Sequence, residues 1–503
     1  MRNIRGALTL LSVFSLIAFI SFYTTYTIHS NYPLPFHSDE WDHLTIAKEI
    51  VKQQDAIYYD PYIKGSSGSI NLELNYHLML AIMLQLTGLD GITFALIFPA
   101  IIMFVLGVNT FVLVRYLTKS DLAGFFSAVL VLTVKSNVTL LGLFFMVPVA
   151  YGMSMIPLVL FVFLRAVNSD KLRDPWLFIL AVLVVQVAMS HPPSASIYLP
   201  IFALYFIFHP GTLWKNKWKL IIPVFAALVL LPLFFHVPLV SVASPWDFIN
   251  HYLKFGYDDP DYHVYYYTPR YLGATIIILA LLGAYIAALK RQSRILPLAI
   301  LALLPFVVQF YQMQEIYFSP YRRMLMYNFE LLLMLAGIGL WGAYAAVNRI
   351  NRRYDMGFIF RSITAIVVLL ITASILLPQV DSTFEYKNRL YHCIEPKDVA
   401  PMLWIKENTK DETIVLAQSS PCVSKAIKPI ADRYTVATVR TRLGTSDARN
   451  NDVNEFFRAG CGTKKEILEK YTPDYVFSGW KIECQFLNEI HAEKGDYVYE
   501  VKL

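Results

Sequence analysis

The chain has 503 residues, of which 56% are hydrophobic, 15% aromatic and only 16% charged, with a mean hydropathy of +0.47. Apolar runs of about 18 or more residues recur through the first three quarters, each long enough to cross roughly 30 Å of hydrocarbon, which excludes a soluble enzyme, a coiled coil and a disordered chain. The net charge of +6 is dispersed over short Lys/Arg clusters instead of one basic stripe, a pattern of topology signals and not of nucleic-acid binding.

In chain order, Arg2 and Arg5 precede an apolar stretch without a small-residue cleavage site, so the first span is uncleaved and its N-terminus is expected in the cytoplasm. Placing the later clusters (115/119, 165–173, 215–219, 290–294 and 349–361) on that same side predicts spans near 7–28, 92–116, 121–135, 143–166, 175–191, 193–209, 219–240, 270–289, 295–312, 325–347 and 359–378. That makes a polytopic α-helical membrane protein of about eleven transmembrane helices, an odd number, which puts the chain after about 381 outside. Two outer connections, 29–75 and 241–269, are longer than a turn needs, and segment 73–88 reads as a helix lying at the outer interface.

The first connection opens with HSDEWDHLTIAKEIVKQQ, which crowds Asp39, Glu40, Asp42 and His43 into the start of a helix directly after the first span. A carboxylate there can act as general base toward an acceptor hydroxyl or bind a divalent cation, with Asp39 the candidate ligand. A structural reading weighs equally: Ser38 or Asp39 caps the helix, and Glu40 and Asp42 complement its positive end.

Further along, His191 in MSHPPSAS stands at an outer helix end, either lining an acceptor cleft or satisfied structurally between two helices. Asp258, Asp259 and Asp261 form a calcium-type run that is more often a solvated loop, and Tyr265, Tyr266, Tyr267 and Arg270 precede the eighth span as an interfacial belt or a sugar-stacking face. Arg322 and Arg323 precede a late span on its outer side, against the positive-inside trend. A guanidinium there suits a lipid phosphate; the alternatives are snorkelling to the headgroups or pairing with Glu315. Glu330 lies two turns deeper, where a carboxylate calls for an arginine or an interhelical hydrogen bond.

After the last span the chain alternates helix and strand signals (VAPMLWIKENTKDET then IVLAQ, KKEILEKYTP then DYVFSG, and a final DYVYEVKL), which predicts a small α/β domain over 381–503 with a partly parallel sheet. No Gly-rich phosphate loop occurs in it, so it is expected to shape or cover a membrane site. Cys393, Cys422, Cys461 and Cys484 all fall in this segment and imply two disulfides in an oxidising compartment, with three connectivities open.

DEWDHLTIAKEIVKQQD, a Pro/Tyr/Gly-containing loop, NYHLMLAIMLQLTG and a hydrophobic span, in that order, resemble the membrane glycosyltransferases of the GT-C superfamily, in the branch of the aminoarabinose transferases and protein O-mannosyltransferases. The resemblance implies a membrane domain over 1–380, with the active-site loop at 29–91, and transfer of a sugar from a polyprenyl-phosphate donor to a glycan, lipid or protein acceptor on the outer face. It implies Asp39 as the catalytic carboxylate with Glu40 beside it; the residues' own chemistry and placement make Asp42, His43, His191, Arg270, Arg322 and Arg323 the candidates for holding substrate. One departure concerns metal: oligosaccharyltransferases carry a second acidic motif in the next external connection, where this chain has KSNVTLLGLFFMVPVAYG without a carboxylate, so a divalent cation is a candidate cofactor and no more. The competing class is a transporter or flippase for lipid-linked sugars, which calls for inverted repeats and mid-membrane ionisable groups; no repeat is visible and the polar residues gather at the outer face.

Overall fold

A computed structural model describes residues 2–30, 32–66, 71–134, 143–169, 175–212, 254–255, 272–313, 316–317, 321–353, 362, 394–418, 423–438 and 447–503. The helices that position the chain are α1 (Arg2–His29), α2 (Ser38–Gln53), α3 (Leu74–Thr87), α4 (Gly91–Thr118), α5 (Asp121–Leu132), α6 (Pro148–Asn168), α7 (Pro175–Ser190), α8 (Pro192–Ser196) and α9 (Tyr198–Phe208). They continue with α10 (Ala274–Leu289), α11 (Ile295–Met313), α12 (Tyr321–Arg353), α13 (Val399–Asn408), α14 (Val423–Ala431), α15 (Asp447–Arg458) and α16 (Cys461–Tyr471). Two compact units result: residues 1–28, 99–144 and 148–388 form the first, and residues 29–98, 145–147 and 389–503 form the second.

The first unit is helical. Among the described residues, five helices are long and apolar enough to cross a membrane: Ala7–His29, Gly91–Thr118, Pro148–Asn168, Gln292–Gln309 and Arg323–Asn351. Shorter apolar helices cover Asp121–Leu132, Pro175–Ser190, Pro192–Phe208 and Ala274–Leu289. The expected spans at 219–240 and 359–378 lie outside the described residues. The stretch expected as one span over 193–209 is divided into α8 and α9, and the helix expected from 143 starts at Pro148. Glycine lets α10 and α12 pack backbone to backbone: a Cβ on Gly283 would stand 1.8 Å from the Leu335 carbonyl oxygen, and one on Gly339 2.0 Å from that of Leu279. Small residues at such crossings are how apolar helices associate where burial from water gives little drive. Against α5, the Ser127 hydroxyl donates to the Met334 carbonyl of α12 at 2.9 Å.

The second unit joins the first polar connection to the C-terminal segment. Its five-stranded sheet comprises β3 (Ile414–Ala417), β4 (Tyr434–Thr435), β5 (Tyr475–Ser478), β6 (Leu487–Glu493) and β7 (Asp496–Val501) in the order β4-β3-β5-β7-β6; β1 (Lys254–Phe255) and β2 (Ile316–Tyr317) pair separately in the first unit. Strand β3 runs parallel to both β4 and β5, each reached through helices, as parallel pairing requires. The antiparallel β6–β7 hairpin turns on Lys494 and Gly495, at φ 50° and 91°, which is the two-residue geometry that matches strand twist and favours glycine. Val415, Leu416, Val453, Phe456, Leu468, Val476 and Tyr499 are buried between sheet and helices. Cys461 and Cys484 form a disulfide; Cys393 and Cys422 lie outside the described residues.

Candidate functional site

The acidic turn of α2 is set by an unusual cap. His37, at φ −108° and ψ 148°, is the N-cap in place of the expected Ser38 or Asp39: its Nδ1 accepts the Asp39 N–H at 3.1 Å, while Glu40 reaches back to accept the His37 N–H at 3.0 Å. The reciprocal bonds fix the first turn and consume two donors that a helix start leaves over. Because Nδ1 is accepting, it carries no proton, so its 3.8 Å separation from Asp39 Oδ2 is not an ion pair.

Three acidic residues of this turn meet different fates. Glu40 is fully buried, and its second oxygen accepts the Met146 N–H at 2.8 Å, so one carboxyl joins the cap to the 145–147 strip. Burial pushes its pKa up to about 7, despite the lowering effect of these backbone donors. Asp42 is 1% exposed and accepts from Lys425 of α14, equally buried, at 2.8 Å; burial raises its pKa to about 6 while the lysine pulls it back. Asp39 alone keeps a substantially exposed side chain, at 30%. A reacting carboxyl has to touch an acceptor, and the first turn presents this one.

The rest of α2 is clamped to the same C-terminal segment. Lys48 donates to the Pro429 carbonyl at 2.5 Å, Lys52 pairs with Asp432 at 2.8 Å, and Lys428 lies 3.6 Å from Glu49. The loop after α2 is tied in as well: the Thr435 N–H of β4 donates to the Tyr62 carbonyl at 2.8 Å, and the Tyr62 hydroxyl donates to Thr45 at 3.0 Å. On another face of α2, His43 Nδ1 faces His77 Nε2 of α3 at 2.9 Å, and His77 Nδ1 faces Asn71 Oδ1 at 3.0 Å.

Other sequence candidates belong to the first unit. His191 is 5% exposed and caps α8, with Nδ1 2.7 Å from Ser194 Oγ, which in turn lies 3.0 Å from the Tyr327 hydroxyl. Gly152 makes that arrangement fit, since a Cβ there would stand 2.2 Å from Ser194 Oγ. Arg323 is half-buried at the start of α12, with Nη1 3.4 Å from Met326 Sδ. The side chain of Arg322, and Arg270, the 258–261 acidic run and Tyr265–Tyr267 altogether, lie outside the described residues. Lys425, Asn71, Glu73 and His77 escaped the sequence reading; in NLELNYH the Glu and His stand one helical turn apart, which was their available signal.

The fold is similar to that of solved GT-C glycosyltransferases. The oligosaccharyltransferase of Archaeoglobus fulgidus superposes with a TM-score of 0.63 at 14% identity, over 93% of this chain and 69% of that one. ArnT from Cupriavidus metallidurans bound to undecaprenyl phosphate gives 0.64 at 12% identity over 98% of both chains. The mycobacterial arabinofuranosyltransferase AftD gives 0.59 at 12% identity, with 97% of this chain matching 40% of it. No curated protein matches in sequence. The family described as "Family of unknown function (DUF6541)" matches residues 74–416, more than half the chain, and the chain belongs to it.

Proposed function

We propose that the protein transfers a sugar from a polyprenyl-phosphate donor to a glycan, lipid or protein acceptor at the extracytoplasmic face of the membrane, the face on which the 381–503 α/β domain also lies. The observation that carries this is the end-to-end match to an ArnT structure holding undecaprenyl phosphate, combined with one partly exposed carboxylate on an otherwise buried acidic turn. In this reading Asp39 takes the proton of the acceptor hydroxyl as its oxygen bonds to the anomeric carbon. The bond from that carbon to the phosphate oxygen breaks, and the polyprenyl phosphate leaves with the electron pair. Glu40 and Asp42 position Asp39 by holding the helix start. Arg322 or Arg323 meets the phosphate charge that develops on departure.

Membranes bearing the chain, supplied with radiolabelled polyprenyl-phosphate sugars, should transfer label. Asp39→Asn should abolish transfer with little change in melting temperature, because the amide keeps the size and shape of a side chain that is only partly buried. Arg323→Ala should lower kcat/KM for donor by roughly tenfold or more and Arg323→Lys by less, as expected for a lost charge-assisted contact to phosphate. Undiminished transfer by Asp39→Asn sinks the role given to that residue.

A further inference from the structure

Between α2 and α3 four polar side chains converge in the interior of the second unit. His43 and His77 are fully buried, Asn71 is 2% exposed and Glu73 7%. Nitrogen atoms of the two histidines and a carboxylate oxygen of Glu73 all lie within 4.8 Å of one another. Glu73 and His77 stand one turn apart at the start of α3, where the His77 N–H donates to the Glu73 carbonyl at 3.1 Å, so both project from one helix face toward His43.

The hydrogen bonds around Asn71 fix which nitrogen of His77 carries the proton. The Glu73 N–H points at the Asn71 side chain at 3.2 Å, and an N–H can face only an acceptor, so the atom there is the amide oxygen. The same oxygen lies 3.0 Å from His77 Nδ1, which therefore carries hydrogen and donates. In a neutral ring that leaves the Nε2 lone pair to accept from His43 Nδ1–H, 2.9 Å away; an ion bound between the two nitrogens takes that hydrogen's place, and His43 then carries its proton on Nε2. One N–H held by an oxygen and the other nitrogen left as a lone pair toward a second ligand-type group is the outer-shell arrangement that orients metal-binding histidines.

We propose that His43 Nδ1, His77 Nε2 and the Glu73 carboxylate bind one divalent transition-metal ion, with Asn71 orienting His77. Two imidazoles and one carboxylate select zinc over magnesium or calcium, which take oxygen ligands. Three protein ligands leave a fourth position for water or another oxygen. The ion ties α3 to α2 on the face of α2 that carries His43. Of its residues only His43 stood among the sequence candidates for holding substrate, and the reaction proposed above uses none of them, so zinc binding is read without reference to sugar transfer.

The test uses the full chain in detergent, purified through a histidine-free tag, stripped with chelator and resupplied with Zn²⁺ or Co²⁺. One zinc per chain should survive desalting, and Co²⁺ should give the visible ligand-field bands of a four-coordinate site. His43→Ala and His77→Ala should each weaken zinc binding by more than tenfold, Asn71→Ala by roughly 10–100-fold, and His491→Ala in the C-terminal sheet should leave it unchanged. A wild-type chain that is monodisperse and melts cooperatively yet retains no stoichiometric zinc overturns the proposal without reference to any variant. So does full wild-type affinity in His43→Ala or His77→Ala.

Discussion

Helices α2 and α12 both bury acidic side chains, on opposite terms. In α2 the Asp42 carboxylate meets Lys425, a residue 383 positions away, and Glu40 accepts two backbone N–H groups. In α12 Glu330 is 1% exposed, and neither carboxyl oxygen has a hydrogen-bond partner among the described residues. Burial of an acid therefore does not by itself state its role. A matched acid reports an assembly that its partner completes, whereas an unmatched one is a strain on the fold whose removal is harmless to stability. Both helices can be probed by changing one group and asking in which direction the stability moves.

The largest effect is expected from breaking the matched pair. Lys425→Met strands a buried carboxylate and should destabilise the second unit by about 3–5 kcal/mol. The double change Asp42→Asn/Lys425→Met, which leaves no charge to strand, should recover most of that loss. Thermal melting of the detergent-solubilised proteins reads both. A single change no worse than the double one would mean that the 2.8 Å pair does not hold α2 to α14.

Glu40 sharpens the comparison through pH. Its folded pKa of about 7 stands above the ordinary carboxylate value of 4.5, so between the two the folded chain binds more protons than the unfolded one, and stability falls as pH rises through that window. The contribution is greatest below the lower value, is lost by about pH 7, and amounts to roughly 3 kcal/mol. Asp42, raised to about 6, slopes the same way, so the measurement is the difference in melting temperature between wild type and Glu40→Gln at each pH. That difference should change across the window and flatten above it. Glutamine also turns an amide N–H₂ toward one of two backbone donors, which should lower stability at every pH by about 1–3 kcal/mol.

These contrasts show where sequence reading reaches. The apolar runs locate α1, α4, α6, α11 and α12 because length and hydropathy are local quantities, and the alternation after residue 395 foretells β3, β5 and β7 for the same reason. The crowding of acids after the first span is likewise local and marks the α2 turn. Which of those acids stays exposed depends on Met146 and Lys425, chain positions brought to the turn only by folding, and no spacing rule announces them. His37 escaped as the cap because histidine rarely serves there, and the Glu40 that completes the box was already read as a dipole partner. The hairpin strand β6 escaped too: LNEIHAE presents no clean alternation, and its register shifts between Glu489 and His491.

The smallest expected effect lies on the unmatched side. Glu330→Gln keeps the size and shape of the side chain and removes the acid, so a helix that gained nothing from the carboxyl should lose nothing with it: the melting temperature should stay level or rise, by less than about 1 kcal/mol in equivalent stability. Glu330 is buried within α12 and the amide has no ionised form to desolvate there. A fall as large as that of Lys425→Met would show that α12 holds its acid through a charged partner as α2 does. A level melting curve accompanied by lost sugar transfer would assign Glu330 to the reaction instead, since an acid that adds nothing to stability and yet is needed for turnover acts on substrate or on a group that touches it.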